Sequence, residues 1–247
     1  MLLTILALLA MLAAGCGKAE EPAETPSVTL TAVATQTPVR EDTPEPGVPC
    51  ELPLPVGGDW QPLLCETFDD NSHGWQEETQ DNPYAAYTSA VKDGKFVVDY
   101  RAKSFAGFTR NALTWFDVAE ERNFVLSVTA QVESTFSENS WGIAFRGDEN
   151  SFLLFSLQND DSYALEVFEN NRWLPLITRR PTNLIKAREP NTIRIEASGG
   201  DFFFSINGEM VNQYSGATLA GDDILLVVSA KEGASAIFTF DDVVLLK

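Results

Sequence analysis

The stretch Phe124-Val125-Leu126-Ser127-Val128-Thr129-Ala130-Gln131-Val132 decides the fold. Every second residue from Phe124 to Val132 is apolar, and three of the four between them are polar. Successive side chains of a strand point to opposite faces, so this pattern predicts a strand with one face in a core and the other facing water. The same period recurs along the chain. Trp141, Ile143 and Phe145 alternate with Gly142, Ala144 and Arg146. Tyr163, Leu165 and Val167 alternate with Ala164, Glu166 and Phe168, and Phe202, Phe204 and Ile206 with Phe203, Ser205 and Asn207.

Turn chemistry punctuates these runs. Asp93-Gly94 and Asn207-Gly208 supply the positive φ of two-residue hairpins, and Asn170-Asn171 and Gly199-Gly200 mark two more tight turns. No segment keeps a helical period for three turns. About a dozen short strands at regular spacing predict an all-β fold of two packed antiparallel sheets, a jelly-roll sandwich. The apolar opening strand, Leu63 to Phe68, and the closing one, Ile237 to Leu246, are expected to pair in one sheet.

The 16 Phe, 5 Trp and 5 Tyr all lie from Trp60 onward, so the core is expected within residues 60–247. Residues 17–59 hold eight prolines and six threonines among Glu and Ala, with no aromatic side chain. Such a segment buries too little apolar surface to offset its ordering entropy. Residues 16–59 therefore read as a disordered, semi-stiff tether, which at about 3 Å per residue reaches roughly 100 Å.

Residues 2–14 form an apolar run too short to cross a bilayer but fitted to the core of an export signal, so 1–15 reads as a signal peptide. Leu12-Ala13-Ala14-Gly15-Cys16 resembles the lipobox of bacterial lipoproteins, which implies that Cys16 is acylated and becomes the first mature residue. The protein is then expected to be exported and held by lipid on the outer side of the cell membrane, its sole membrane contact. With Cys16 lipidated, Cys50 and Cys65 remain as a candidate disulfide, the alternative being two free thiols. No Cys-x-x-Cys or Cys/His cluster offers a zinc site.

The net charge is −19, from 36 acidic and 17 basic residues, and the basic residues read as dispersed. Nucleic acid and anionic lipid are therefore not expected as partners.

Several landmarks follow one another: Phe68-Asp69-Asp70-Asn71-Ser72-His73-Gly74-Trp75, then Trp141 to Gly147, Arg172-Trp173-Leu174-Pro175-Leu176, Asn191 to Ile195, Phe204 to Gly208 and Phe240-Asp241-Asp242-Val243. Their succession over residues 63–247 resembles the concanavalin A-like lectin/glucanase jelly rolls, including laminin-G-like modules and 3-keto-disaccharide hydrolase domains. The resemblance implies a two-sheet sandwich whose concave face is the ligand surface, and no particular activity.

Catalysis finds little support in the residues. Family 16 glycoside hydrolases of this fold carry Glu-x-Asp-x-x-Glu on one strand, and this chain has no such run. Glu166 and Glu169 stand three apart, on opposite faces of a strand. His73, the one histidine, reads as a solvated loop residue, and Arg146-Gly147-Asp148 as a hairpin turn. No cofactor is expected. Structural calcium is conceivable if Asp69-Asp70-Asn71 and Asp241-Asp242 meet across the paired terminal strands.

A binding face can be composed by parity. With Trp141, Ile143 and Phe145 inward, Arg146 points outward, the neighbouring strand exposes Glu166, and the next hairpin adds Arg172 and Trp173. An aromatic plane beside hydrogen-bonding groups suits a sugar ring. The expected ligand site is thus Arg146, Glu166, Arg172 and Trp173, in a non-catalytic cell-surface lipoprotein that binds a polysaccharide or surface glycan. A protein-interaction or structural module and a divergent glycoside hydrolase are the alternatives.

Overall fold

The computed structural model describes residues 59–104, 108–113, 123–134, 138–148, 150–216, 219, 221 and 223–247. The signal peptide, Cys16, most of the tether and Cys50 lie outside the described residues.

Fifteen strands and no helix make up the described chain. They are β1 (Pro62–Glu66), β2 (Glu78–Asp81), β3 (Ala85–Lys92), β4 (Lys95–Ala102), β5 (Phe108–Leu113), β6 (Asn123–Glu133), β7 (Asn139–Gly147) and β8 (Phe152–Gln158). There follow β9 (Ser162–Glu169), β10 (Arg172–Pro181), β11 (Asn191–Ser198), β12 (Asp201–Ile206), β13 (Glu209–Ser215), β14 (Asp223–Ala230) and β15 (Ser235–Leu246). They form two antiparallel sheets packed as a sandwich. The nine-stranded sheet runs β13-β12-β11-β6-β15-β4-β3-β2, with β1 on β15, and the six-stranded sheet runs β10-β9-β8-β7-β14-β5.

The expected turns close the hairpins. Asp93 and Gly94 both take positive φ (53° and 72°) between β3 and β4, as do Asn207 and Gly208 (52° and 85°) between β12 and β13. Asn170 and Asn171 do the same between β9 and β10, at 52° and 57°. The terminal strands pair, with Cys65 opposite Val244 and Glu66 opposite Val243.

The alternating side chains interlock between the sheets. Phe124, Leu126 and Val128 are buried in the core with Trp141, Ile143 and Phe145 from the facing sheet. Phe155 of β8 stacks on Phe204 of β12 with ring centroids 4.6 Å apart, and Phe145 of β7 meets Phe202 of β12 at 5.3 Å. Val125, on the opposite face of β6, is also buried: Trp60 packs over it together with Val244 and Leu246.

The landmark after β1 is a structural loop. The Glu66 carboxylate, 3% exposed, accepts hydrogen bonds from the Phe68 backbone N–H (2.7 Å) and the Trp75 indole N–H (3.0 Å). His73 Nδ1 lies 2.6 Å from the same carboxylate. His73 is therefore not a solvated loop residue; a buried carboxylate holds it half-buried, a long-range partner that a local sequence window does not reveal.

Gly142 marks a close approach of β7 to β8. A Cβ there would lie 2.7 Å from Ser156 Cα and run into the Phe155 carbonyl oxygen. Gly142→Ala is expected to cost about 1–3 kcal/mol, the range for overpacking, because a backbone must move rather than a side chain. A lowered urea midpoint measures it; an unchanged midpoint contradicts the close approach.

Candidate functional site

The outer face of the six-stranded sheet is assembled by register. Opposite residues share a face, so Gly142, Ser156 and Ala164 form one row across β7, β8 and β9. Ala144, Leu154, Glu166 and Pro175 form the next, and Phe152, Phe168 and Trp173 a third. The floor is small at Gly142, Ala144 and Ala164, and the Ser156 hydroxyl is buried on it with no hydrogen-bond partner among the described residues.

One end of this face carries four rings. Trp173 lies 4.9 Å from Phe168, 5.7 Å from Phe152 and 5.2 Å from Phe108, centroid to centroid. Phe108 belongs to β5 and Trp173 to β10, the two opposite edges of the sheet. Six strands about 4.8 Å apart would separate those edges by about 24 Å in a flat sheet. The sheet must therefore coil strongly, and the face bearing these rings is concave.

Of the four residues expected at the site, the structure brings Glu166 and Trp173 onto this concave face. Arg172 lies beside Trp173, exposed on the edge strand, in the register position opposite Glu169. Arg146 is elsewhere. Its guanidinium sits 5.2 Å above the Phe124 ring, and the residue is 6% exposed. The cause is a bulge. Between Gly147 and Ala144, β7 carries one more residue than β14 opposite it, and Arg146 takes φ 55°. The bulge reverses the parity and turns Arg146 into the end of the sandwich. The Arg-Gly-Asp turn is real, with Asp148 accepting hydrogen bonds from the Asn150 and Ser151 backbone N–H groups (2.7 and 2.9 Å), but its arginine is buried.

The cation near Glu166 is Arg179. Burial pushes the Glu166 carboxyl above the usual carboxylate range, and the Arg179 charge opposes the shift. Arg179 also donates to Asp160 at 2.9 Å. Its signal was present in the chain: residues 172–188 contain Arg172, Arg179, Arg180, Lys186 and Arg188 and no acidic residue, so the basic residues are not dispersed. Away from the strand ends, Glu166 is the one acidic residue among the described positions of this face.

The two Asp clusters do approach across the terminal strands. Asp241 is held above its ordinary range by burial first, then by Asp242, with a smaller push from Asp69. Among the described residues no three His, Cys, Asp or Glu side chains converge as metal ligands. Two clefts are lined by other residues. One of about 350 Å³ includes Trp60, Glu196 and Phe203, and one of about 340 Å³ includes Ser151, Asn170 and Asn171.

No family model and no curated protein matches the chain. Solved structures do. The GlcNAcα1-4Gal-releasing endo-β-galactosidase from Clostridium perfringens superposes with TM-score 0.56 at 10% identity, over 81% of this chain and 66% of that one. The catalytic domain of an endo-1,3-β-glucanase (laminarinase) from Thermotoga petrophila gives 0.53 at 10%, over 76% and 98%. SCLam, an endo-β-1,3(4)-glucanase of family GH16, gives 0.53 at 10%, over 81% and 96%. The fold is a two-sheet antiparallel jelly roll. At this identity the likeness concerns the fold alone.

Because the folded state holds the Glu166 pKa high, the carboxyl is neutral in both states at acidic pH, and its destabilising charge develops as pH rises through the folded value. Glu166→Gln should therefore unfold at a urea concentration equal to or above that of the parent at pH 7. That margin should shrink at pH 4. A variant less stable than the parent at pH 7 alone would show that the Arg179 attraction outweighs the burial.

Proposed function

We propose that this is a non-catalytic glycan-binding lipoprotein whose recognition surface is the concave face around Trp173, Glu166 and Arg179. The observation that carries it is a half-buried indole beside a carboxyl and a guanidinium on the inner curve of the sheet. A sugar offers a C–H face to the ring and hydroxyls to the polar groups. The fold neighbours support this reading, since they are an endo-β-galactosidase and two β-glucanases. Hydrolysis is the weaker reading: cleavage by the usual route needs two carboxyl groups across the scissile bond, and away from the strand ends Glu166 has no second one at the described positions of its face.

Trp173→Ala should weaken binding on a glycan array or in polysaccharide pull-downs at least tenfold, with Trp173→Phe retaining most of it. Unchanged circular dichroism separates loss of contact from loss of fold. Absence of binding to every glycan by the parent protein would end the proposal and leave the interaction-module alternative.

The same reading places the domain outside the cell, on a tether anchored through acylated Cys16, with Cys50 paired to Cys65. Cys16→Ser should move the protein from the membrane fraction to the soluble fraction and abolish incorporation of labelled palmitate. Persistence in the membrane fraction would contradict the anchor.

A further inference from the structure

We propose that the glycan is a polyanion, a polysaccharide bearing carboxylate or sulfate groups, gripped along β10. The inference rests on the glycan-binding reading above and names the ligand class of that face and its β10 edge. Three observations converge on it.

The first is the distribution of charge. On a chain with 36 acidic and 17 basic residues, the 17 positions from 172 to 188 hold five of the basic residues and none of the acidic ones. All five are exposed. Arg179 pairs with Asp160, but none of Arg172, Arg180, Lys186 and Arg188 meets an acid within ion-pair distance among the described residues. Screening over about 8 Å at physiological salt lets this patch present a local field despite the overall charge of −19.

The second is position. β10 is an edge of the six-stranded sheet and carries Trp173; the register sets Arg172 and Arg180 opposite Glu169 and Tyr163, on the other side of the strand from the ring, so these cations line the margin of the strand whose ring is proposed to stack on sugar. A second irregularity contributes: between Ile177 and Arg180, β10 has one residue more than β9 opposite, and the neighbours Arg179 and Arg180 are both exposed. The third is length. From Arg172 to Arg180 the strand spans about 26 Å at about 3.3 Å per residue, which suits an extended polymer rather than a single small anion. Guanidinium groups match carboxylate and sulfate oxygens with paired donors.

The test uses the full chain and two matched polymer pairs in affinity electrophoresis: polygalacturonate against its methyl ester, and dextran sulfate against dextran. The expected result is retardation by the charged member of at least one pair, at least tenfold stronger than by its neutral counterpart and weakened by raising NaCl from 50 to 300 mM. The double variant Arg172→Gln/Arg180→Gln should lose about tenfold on the charged polymer with an unchanged urea midpoint, because both side chains are exposed. A Lys92→Gln/Lys95→Gln variant, altered in a different hairpin, should lose little. Equal retardation by charged and neutral members, or equal loss in the two double variants, overturns the polyanion while leaving glycan binding standing. Binding to neutral glycans alone has the same consequence. No retardation by any of the four polymers overturns the polyanion, and if the glycan array is also blank the parent reading falls with it.

Discussion

The contact between aromatic rings of the two sheets is the constraint on which the rest depends. Phe155 stacked on Phe204, and Phe145 against Phe202 and Phe124, join β7 and β8 to β6 and β12 across the sandwich. Such rings are large apolar surfaces whose burial favours one registration of the sheets over another. Once that layer is filled, every strand has a defined inner and outer face. The outer face of the six-stranded sheet is then a consequence of the inner one. Removing either ring layer would leave the concave surface without a support.

Coiling converts that outer face into a site. It brings Phe108 and Trp173 from opposite edges into ring contact, which closes one end of the concavity and leaves Glu166 and Arg179 beside it. The proposed site therefore has an apolar wall and a polar flank, a combination suited to a sugar polymer. The edge strand β10 adds exposed Arg172 and Arg180 at the margin of that sheet, on an otherwise acidic protein.

Bulges decide which polar residues reach the concave face. One in β7 withdraws Arg146, and another in β10 sets Arg180 opposite Tyr163, off the concave face. A third, at Asp241 and Asp242 in β15, divides that strand, with β4 pairing its first half and β1 its last residues. Each bulge adds one residue and exchanges the faces beyond it, so an arginine one step past a bulge cannot be placed by counting alternate positions.

By itself the sequence determined what local physics controls. Period-two alternation specified strands and their buried faces, as at Phe124, Leu126 and Val128, and the dipeptides Asp93-Gly94 and Asn207-Gly208 specified hairpins because they tolerate positive φ. Those features, with the pairing of the first and last strands, sufficed for a two-sheet jelly roll and for putting Glu166 and Trp173 on one face. Only the tertiary structure decided the burial of Arg146, the Glu66–His73 contact and the meeting of Phe108 with Trp173. The reason is that a bulge, a buried carboxylate seven residues from its histidine and the coiling of a six-stranded sheet depend on neighbours across strands, and alternation along one strand carries no record of them.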